Sequence, residues 1–182
     1  VENHPRFSLY DDKYIIGKST LDADDFDVLE FAARDIENVK IPSFIKTIGV
    51  CAFDNCKKIK NVDIQEDSNL QSIEDDCFYE SSVVSFFVPP HVKQIGKSAF
   101  YLCKRLKKIE IPPNSELEKI GRFAFSETQI TSLFFPKSLT VIENGAFKSC
   151  VKLCIIEIDD ESNLKHIDKN IFLDSYQVLI MA

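Results

Sequence analysis

The residues that could carry chemistry are few and their spacing is regular. Cys56, Cys103 and Cys150 stand 47 residues apart, a spacing that serves a repeated core slot better than a ligand set. If each lies in every second coil of a stack, neighbouring thiols sit about 10 Å apart. That exceeds the roughly 7 Å limit for a disulfide. They therefore read as buried free thiols acting as small hydrophobes. Cys51 and Cys77 lie one unit apart but one position out of register, so a bridge is possible and not favoured. Cys150 and Cys154 find no His or further Cys at a zinc-ligand spacing, so no metal or cofactor is expected. His4, His91 and His166 are scattered and read as turn or surface residues. No Ser-His-Asp order, Cys-His pair, paired carboxylate motif or glycine-rich phosphate loop stands out, and there are only 5 Gly. The chain reads as a non-enzyme.

Charge gives a similar answer. With 29 acids against 22 bases the net charge is -7, which points away from nucleic acid and from anionic membranes. No apolar run approaches the roughly 20 residues of a membrane-spanning helix, so no membrane insertion is expected. Basic clusters at Lys57, Lys58 and Lys60, at Lys104, Arg105, Lys107 and Lys108, and at Lys152 could form a stripe for an anionic surface. The favoured reading is solubility, with pairing to Glu66, Asp67, Glu116 and Glu161.

The elements that position these residues repeat. Phe31, Phe53, Phe78, Phe100, Phe125, Phe147 and Phe172 follow at intervals of 22, 25, 22, 25, 22 and 25 residues. Such a metre belongs to a solenoid, in which every unit places its core side chain against the same slot of its neighbour. Ala99, Phe100 and Cys103 have the inward spacing of one helical turn. The following Leu106-x-x-Ile109-x-Ile111 switches to period two, the strand signal. Pro42, Pro89, Pro112 and Pro136 close the strands. Ser and Asn in the longer links, as in Ser68-Asn69 and Ser162-Asn163, suit side-chain-capped turns.

Residues 1–27 fall outside the repeat. Phe7-Ser8-Leu9 and Tyr14-Ile15-Ile16 flank Tyr10-Asp11-Asp12-Lys13 as a hairpin, read as an N-terminal cap. Residues 28–182 are read as about six to seven repeats, the last truncated. The C-terminal end shows no comparable cap, so either the chain is cut there or an edge is exposed, and the start at Val1 suggests a piece of a longer protein.

The recurring Ile-Pro-x-x-Val/Ile-x-x-Ile-Gly-x-x-Ala-Phe-x-x-Cys-x-x-Leu-x-x-Ile-x-Ile, seen from Ile41-Pro42 to Ile64 and from Pro90 to Ile111, resembles the BspA-like leucine-rich repeats. Cys is missing from the units centred on Phe78 and Phe125, and Pro is missing at Gln65 and Asp159. The resemblance implies an α/β leucine-rich-repeat solenoid. Each repeat would place one short parallel strand on the concave face, with short helical turns and links on the convex side. It also implies a surface or secreted protein of mucosal bacteria or flagellate protists, with roles in adhesion or co-aggregation and no enzyme activity.

Alternation along each strand then nominates the outward residues. One column reads Lys40, Asp63, Phe87, Glu110, Phe134 and Glu157. The column before it includes Asn38, Asn61, Ser85, Lys108, Ser132 and Ile155. Phe87 and Phe134, about 10 Å apart with Glu110 between them, would be solvent-facing rings among charges, the composition of a binding hot spot. Packing against neighbouring strands is the rival explanation of these rings. The expected contact set is Phe87, Phe134, Asp63, Glu110, Glu157 and Lys108, and the acids favour a basic protein partner. An intracellular scaffold using the same face and a purely structural spacer are the rival functions.

Overall fold

The computed structural model describes residues 4–168, 170–175 and 178–181. Three strands open the chain: β1 (Phe7–Tyr10), β2 (Tyr14–Gly17) and β3 (Val28–Ala32). The coils then alternate a three- or four-residue strand with a two-residue strand. These are β4 (Asn38–Lys40), β5 (Thr47–Ile48), β6 (Asn61–Asp63), β7 (Ser72–Ile73), β8 (Ser85–Phe87) and β9 (Gln94–Ile95). They continue as β10 (Lys108–Glu110), β11 (Lys119–Ile120), β12 (Ser132–Phe135), β13 (Val141–Ile142), β14 (Ile155–Ile158), β15 (His166–Ile167) and β16 (Leu179–Met181).

The solenoid expectation holds, but each coil has two strands where one was expected. The two-residue strands continue the opening three strands as one continuous sheet, β1-β2-β3-β5-β7-β9-β11-β13-β15. It is antiparallel through the hairpin and parallel from β3 onward. The longer strands form three shorter parallel sheets, β4-β6, β8-β10 and β12-β14-β16. Two-residue strands are too short to show alternation, which is why they escape a reading by period. Their inward residues Ile48, Ile73, Ile95, Ile120 and Ile142 are fully buried. At this corner successive coils nearly touch: a Cβ on Gly96 would lie 2.6 Å from the backbone of Glu74 and Asp75.

The core rings stack as the metre requires. Phe53, Phe78, Phe100, Phe125 and Phe147 follow one another with centroids 4.7, 5.1, 5.3 and 5.6 Å apart, tilted by no more than 7°. Phe172 continues the row at 5.8 Å. Ala52, Cys77, Ala99, Ala124 and Ala146, each preceding a core ring, are fully buried, and the larger Ile171 takes the same place before Phe172. Phe31 departs from the row. It sits in β3, is 39% exposed, and lies under the Arg34 guanidinium at 4.3 Å. Tyr14 of β2 takes the end position instead, its ring edge-on to Phe53 at 6.5 Å and its hydroxyl accepting the Lys40 N–H.

The helical turns are overturned: no helix is present among the described residues. Around each core Phe, alternate N–H groups point in different directions. Those at Ser98, Phe100 and Leu102 donate to Arg122, Ala124 and Ser126 of the next coil, while those at Ala99, Tyr101 and Cys103 close turns onto Gly96, Ser98 and Phe100. The pattern recurs at Phe53, Phe78, Phe125 and Phe147. Residues two before and two after the ring adopt left-handed backbone, as at Cys51 and Asn55, Asp76 and Glu80, Ser98 and Leu102. A chain that commits every second N–H to its neighbour and turns left-handed every fourth residue has no helical hydrogen bonds left to make. The spacing of Ala99, Phe100 and Cys103 fits this double turn as well as a helical one.

Candidate interaction face

The longer strands carry one side chain in and the next out. In β8, Phe86 is buried between the rings of Phe78 and Phe100, at 5.3 and 5.0 Å, while Ser85 is exposed and Phe87 half-buried. In β12, Leu133 and Phe135 are buried, Ser132 exposed and Phe134 half-buried. Lys40, Asp63, Glu110 and Glu157 are exposed. The nominated side chains therefore share one outward face.

The parallel register sets their neighbours. Lys40 lies beside Asp63, Phe87 beside Glu110, and Phe134 beside Glu157. Lys108 Nζ bonds the Glu110 carboxylate at 2.6 Å along β10, so this pair is self-neutralised. Both groups are more than half exposed, so the pair contributes little to stability. Glu157 and Phe134 line an open groove of about 760 Å³ together with Pro113, Lys137, Asp159 and Glu161. Each half-buried ring thus has a carboxylate at its side, a lining able to receive an apolar side chain that carries a positive charge.

The cysteines behave as core. Cys56, Cys77, Cys103 and Cys150 are buried and free, and Cys51 and Cys154 are exposed and free. Burial pushes the Cys103 thiol up to about 12 and Cys150 to about 11. Both stay protonated and donate, Cys103 Sγ to the Phe78 carbonyl at 2.9 Å and Cys150 Sγ to the Phe125 carbonyl at 3.0 Å. The coils lacking Cys place Ser81, Thr128 and Ser175 in the same slot. Ser81 Oγ lies 3.5 Å from Cys103 Sγ and Thr128 Oγ1 lies 3.4 Å from Cys150 Sγ. Sequence reasoning missed this polar column, although its hydroxyls also recur every 47 residues. No group of His, Cys, Asp and Glu among the described residues has the arrangement of a metal site.

The links are built as their Ser residues suggest. Ser68, Ser115 and Ser162 each accept the N–H two residues on, from Leu70, Leu117 and Leu164. The basic clusters find partners other than those expected. Lys57 pairs with Glu80 and Lys60 with Glu37, while Glu116 pairs with His91 and Glu161 with Lys137. Hydrogen bonds run from one coil to the next, so a lysine meets the acid of the adjacent turn and not that of the following link.

Residues 29–154 and 113–179 match the family model described as BspA type leucine rich repeat region, in six copies. Among solved structures, the pneumococcal vaccine antigen PcpA is 30% identical with a TM-score of 0.66, the match covering 70% of this chain and 31% of that one. A leucine rich cell surface protein from Faecalibacterium prausnitzii is 21% identical with a TM-score of 0.53, covering 87% and 47%. A leucine rich repeat protein from T. pallidum is 20% identical with a TM-score of 0.51, covering 82% and 70%. The chain thus spans less than half the length of the first two. No curated protein matches it.

Proposed function

Because the chain belongs to the BspA-type leucine-rich-repeat family, we propose that it is a non-enzymatic protein-binding module. We place it in the ectodomain of a cell-surface adhesion protein, where it engages a host matrix or neighbouring-cell protein. One observation carries the reading: Phe87 and Phe134 project outward from strands whose alternate residues fill the core, and each has a carboxylate in register, Glu110 and Glu157. A half-buried ring desolvates readily and supplies contact area. The flanking acids, with Asp63, orient a basic partner. Lys108 limits the negative field by holding Glu110. The surface setting is supported by similarity to a pneumococcal vaccine antigen and to a leucine rich cell surface protein.

The test is capture of matrix and cell-surface proteins on the immobilised chain and on its Phe87→Ala/Phe134→Ala variant. The reading predicts a partner that is retained by the first and lost by the second, with melting temperatures within about 2 °C. Equal capture by both would refute the face. Capture of nothing by either favours a structural spacer.

A further inference from the structure

The turn corner of the solenoid carries a row of aromatic rings that the strand face does not explain. Asp54, Tyr79 and Tyr101 each follow a core Phe directly, and the inter-coil hydrogen bonds stack them one above another. The Tyr79 and Tyr101 rings meet edge-on at 5.5 Å, and Phe123 joins Tyr101 at 6.3 Å. All three rings are half-buried. They sit among carboxylates: the Tyr101 hydroxyl donates to Glu127 at 3.3 Å, and Asp54 lies one coil before Tyr79 in the same column. Burial first, and then the charges of Glu80, Asp54 and Asp76, push the Tyr79 phenol up.

The cations in this region are Arg34, which donates to the Cys51 and Ala52 carbonyls, Lys57, Lys97 and Arg122, with Lys148 in the same column two coils beyond Tyr101. Lys57 is held by Glu80 at 2.9 Å. Arg122 already lies over the Phe123 ring at 4.9 Å, showing that the row accepts a guanidinium. Asp54, Asp76 and Glu127 form no ion pair among the described residues. Asp54 accepts from the Asn55 amide at 2.8 Å and Glu127 from the Tyr101 hydroxyl, so the surface offers aromatic faces together with carboxylates whose charge is not neutralised by an ion pair.

We propose that this row is a second interaction surface, on which Tyr79, Tyr101, Asp54 and Asp76 receive Lys and Arg side chains from an extended basic segment of a protein partner. Charge complementarity selects the partner, since cations are attracted to ring faces within about 6 Å and to the flanking carboxylates. Length supports an extended segment. Every second side chain of a strand is about 6.6 Å from the next, close to the ring spacings of 5.5 and 6.3 Å. The surface lies on the turns, apart from Phe87 and Phe134, so it stands or falls independently of the strand face.

The experiment is fluorescence anisotropy at 150 mM salt with labelled (Arg-Ser)5 and deca-lysine peptides, and with deca-glutamate as control. The chain is expected to bind both basic peptides. Tyr79→Phe/Tyr101→Phe should bind as it does. Tyr79→Leu/Tyr101→Leu, which keeps apolar bulk but removes the ring quadrupole, should bind at least about fivefold more weakly, and Asp54→Asn/Asp76→Asn likewise. If the double Leu variant fails to fold, Tyr101→Leu alone provides the comparison. Undiminished binding by the Leu variant, or no binding of basic peptide by the unaltered chain, overturns the proposal.

Discussion

At the scale of single residues, burial separates Phe side chains that share the repeat's period. Phe100 is fully buried between two parallel rings, whereas Phe31 is 39% exposed beneath Arg34. Phe100→Ala should therefore cost about 3–5 kcal/mol in urea unfolding and Phe31→Ala less than about 1 kcal/mol. The thiols supply a pH test. Their folded values, about 12 for Cys103 and about 11 for Cys150 against the usual 9.0, mean that the unfolded chain releases protons first as pH rises. The stability they contribute is complete below about pH 9 and declines toward 11–12, by about 1.4 kcal/mol per thiol per pH unit. Cys103→Ala should flatten the stability profile between pH 9 and 11 relative to the unaltered chain. An unchanged slope would show that the thiol ionises alike in both states.

At the scale of elements, the turns decide the architecture. Ser149 has a φ of 56°, where a β-branched side chain is disfavoured. Ser149→Gly should be neutral or stabilising by up to about 1 kcal/mol, and Ser149→Val destabilising by more than that. Circular dichroism should show no helical double minimum. The helical expectation arose because Ala99, Phe100 and Cys103 occupy inward positions in either geometry, and nothing local separates the two. Left-handed positions are commonly signalled by Gly, yet here they fall on Cys51, Asp76, Ser98 and Leu102, with Gly145 the one Gly. Inter-coil hydrogen bonds stabilise that backbone, and such bonds leave no mark on the local sequence. The outward column was legible because period two survives in strands of three or four residues, and Phe86 and Phe87 show both phases side by side.

At the scale of the whole molecule, stacking makes every coil depend on its neighbours. The first coil depends on the hairpin, which we propose is a cap: Tyr14 closes the ring stack, and Asp27 holds the Ser19 N–H at 3.0 Å and Lys46 at 3.5 Å. Tyr14→Ala should lower stability by about 3–5 kcal/mol and accelerate amide exchange in β4 and β5 before β11 and β13. Uniform exchange would argue against a cap. The 47-residue superperiod was readable across the chain because it is written in core residues. The outward face was readable only as a column of positions, because nothing in a repeat specifies what its outward residues meet. The account rests on that division between inward and outward side chains. Its most direct measurement is urea unfolding of Phe86→Ala and Phe87→Ala, two neighbours on β8. The expected loss is about 3–5 kcal/mol for Phe86→Ala and under about 1 kcal/mol for Phe87→Ala. Equal losses would mean that Phe87 serves the fold, and the outward face would no longer be free to bind.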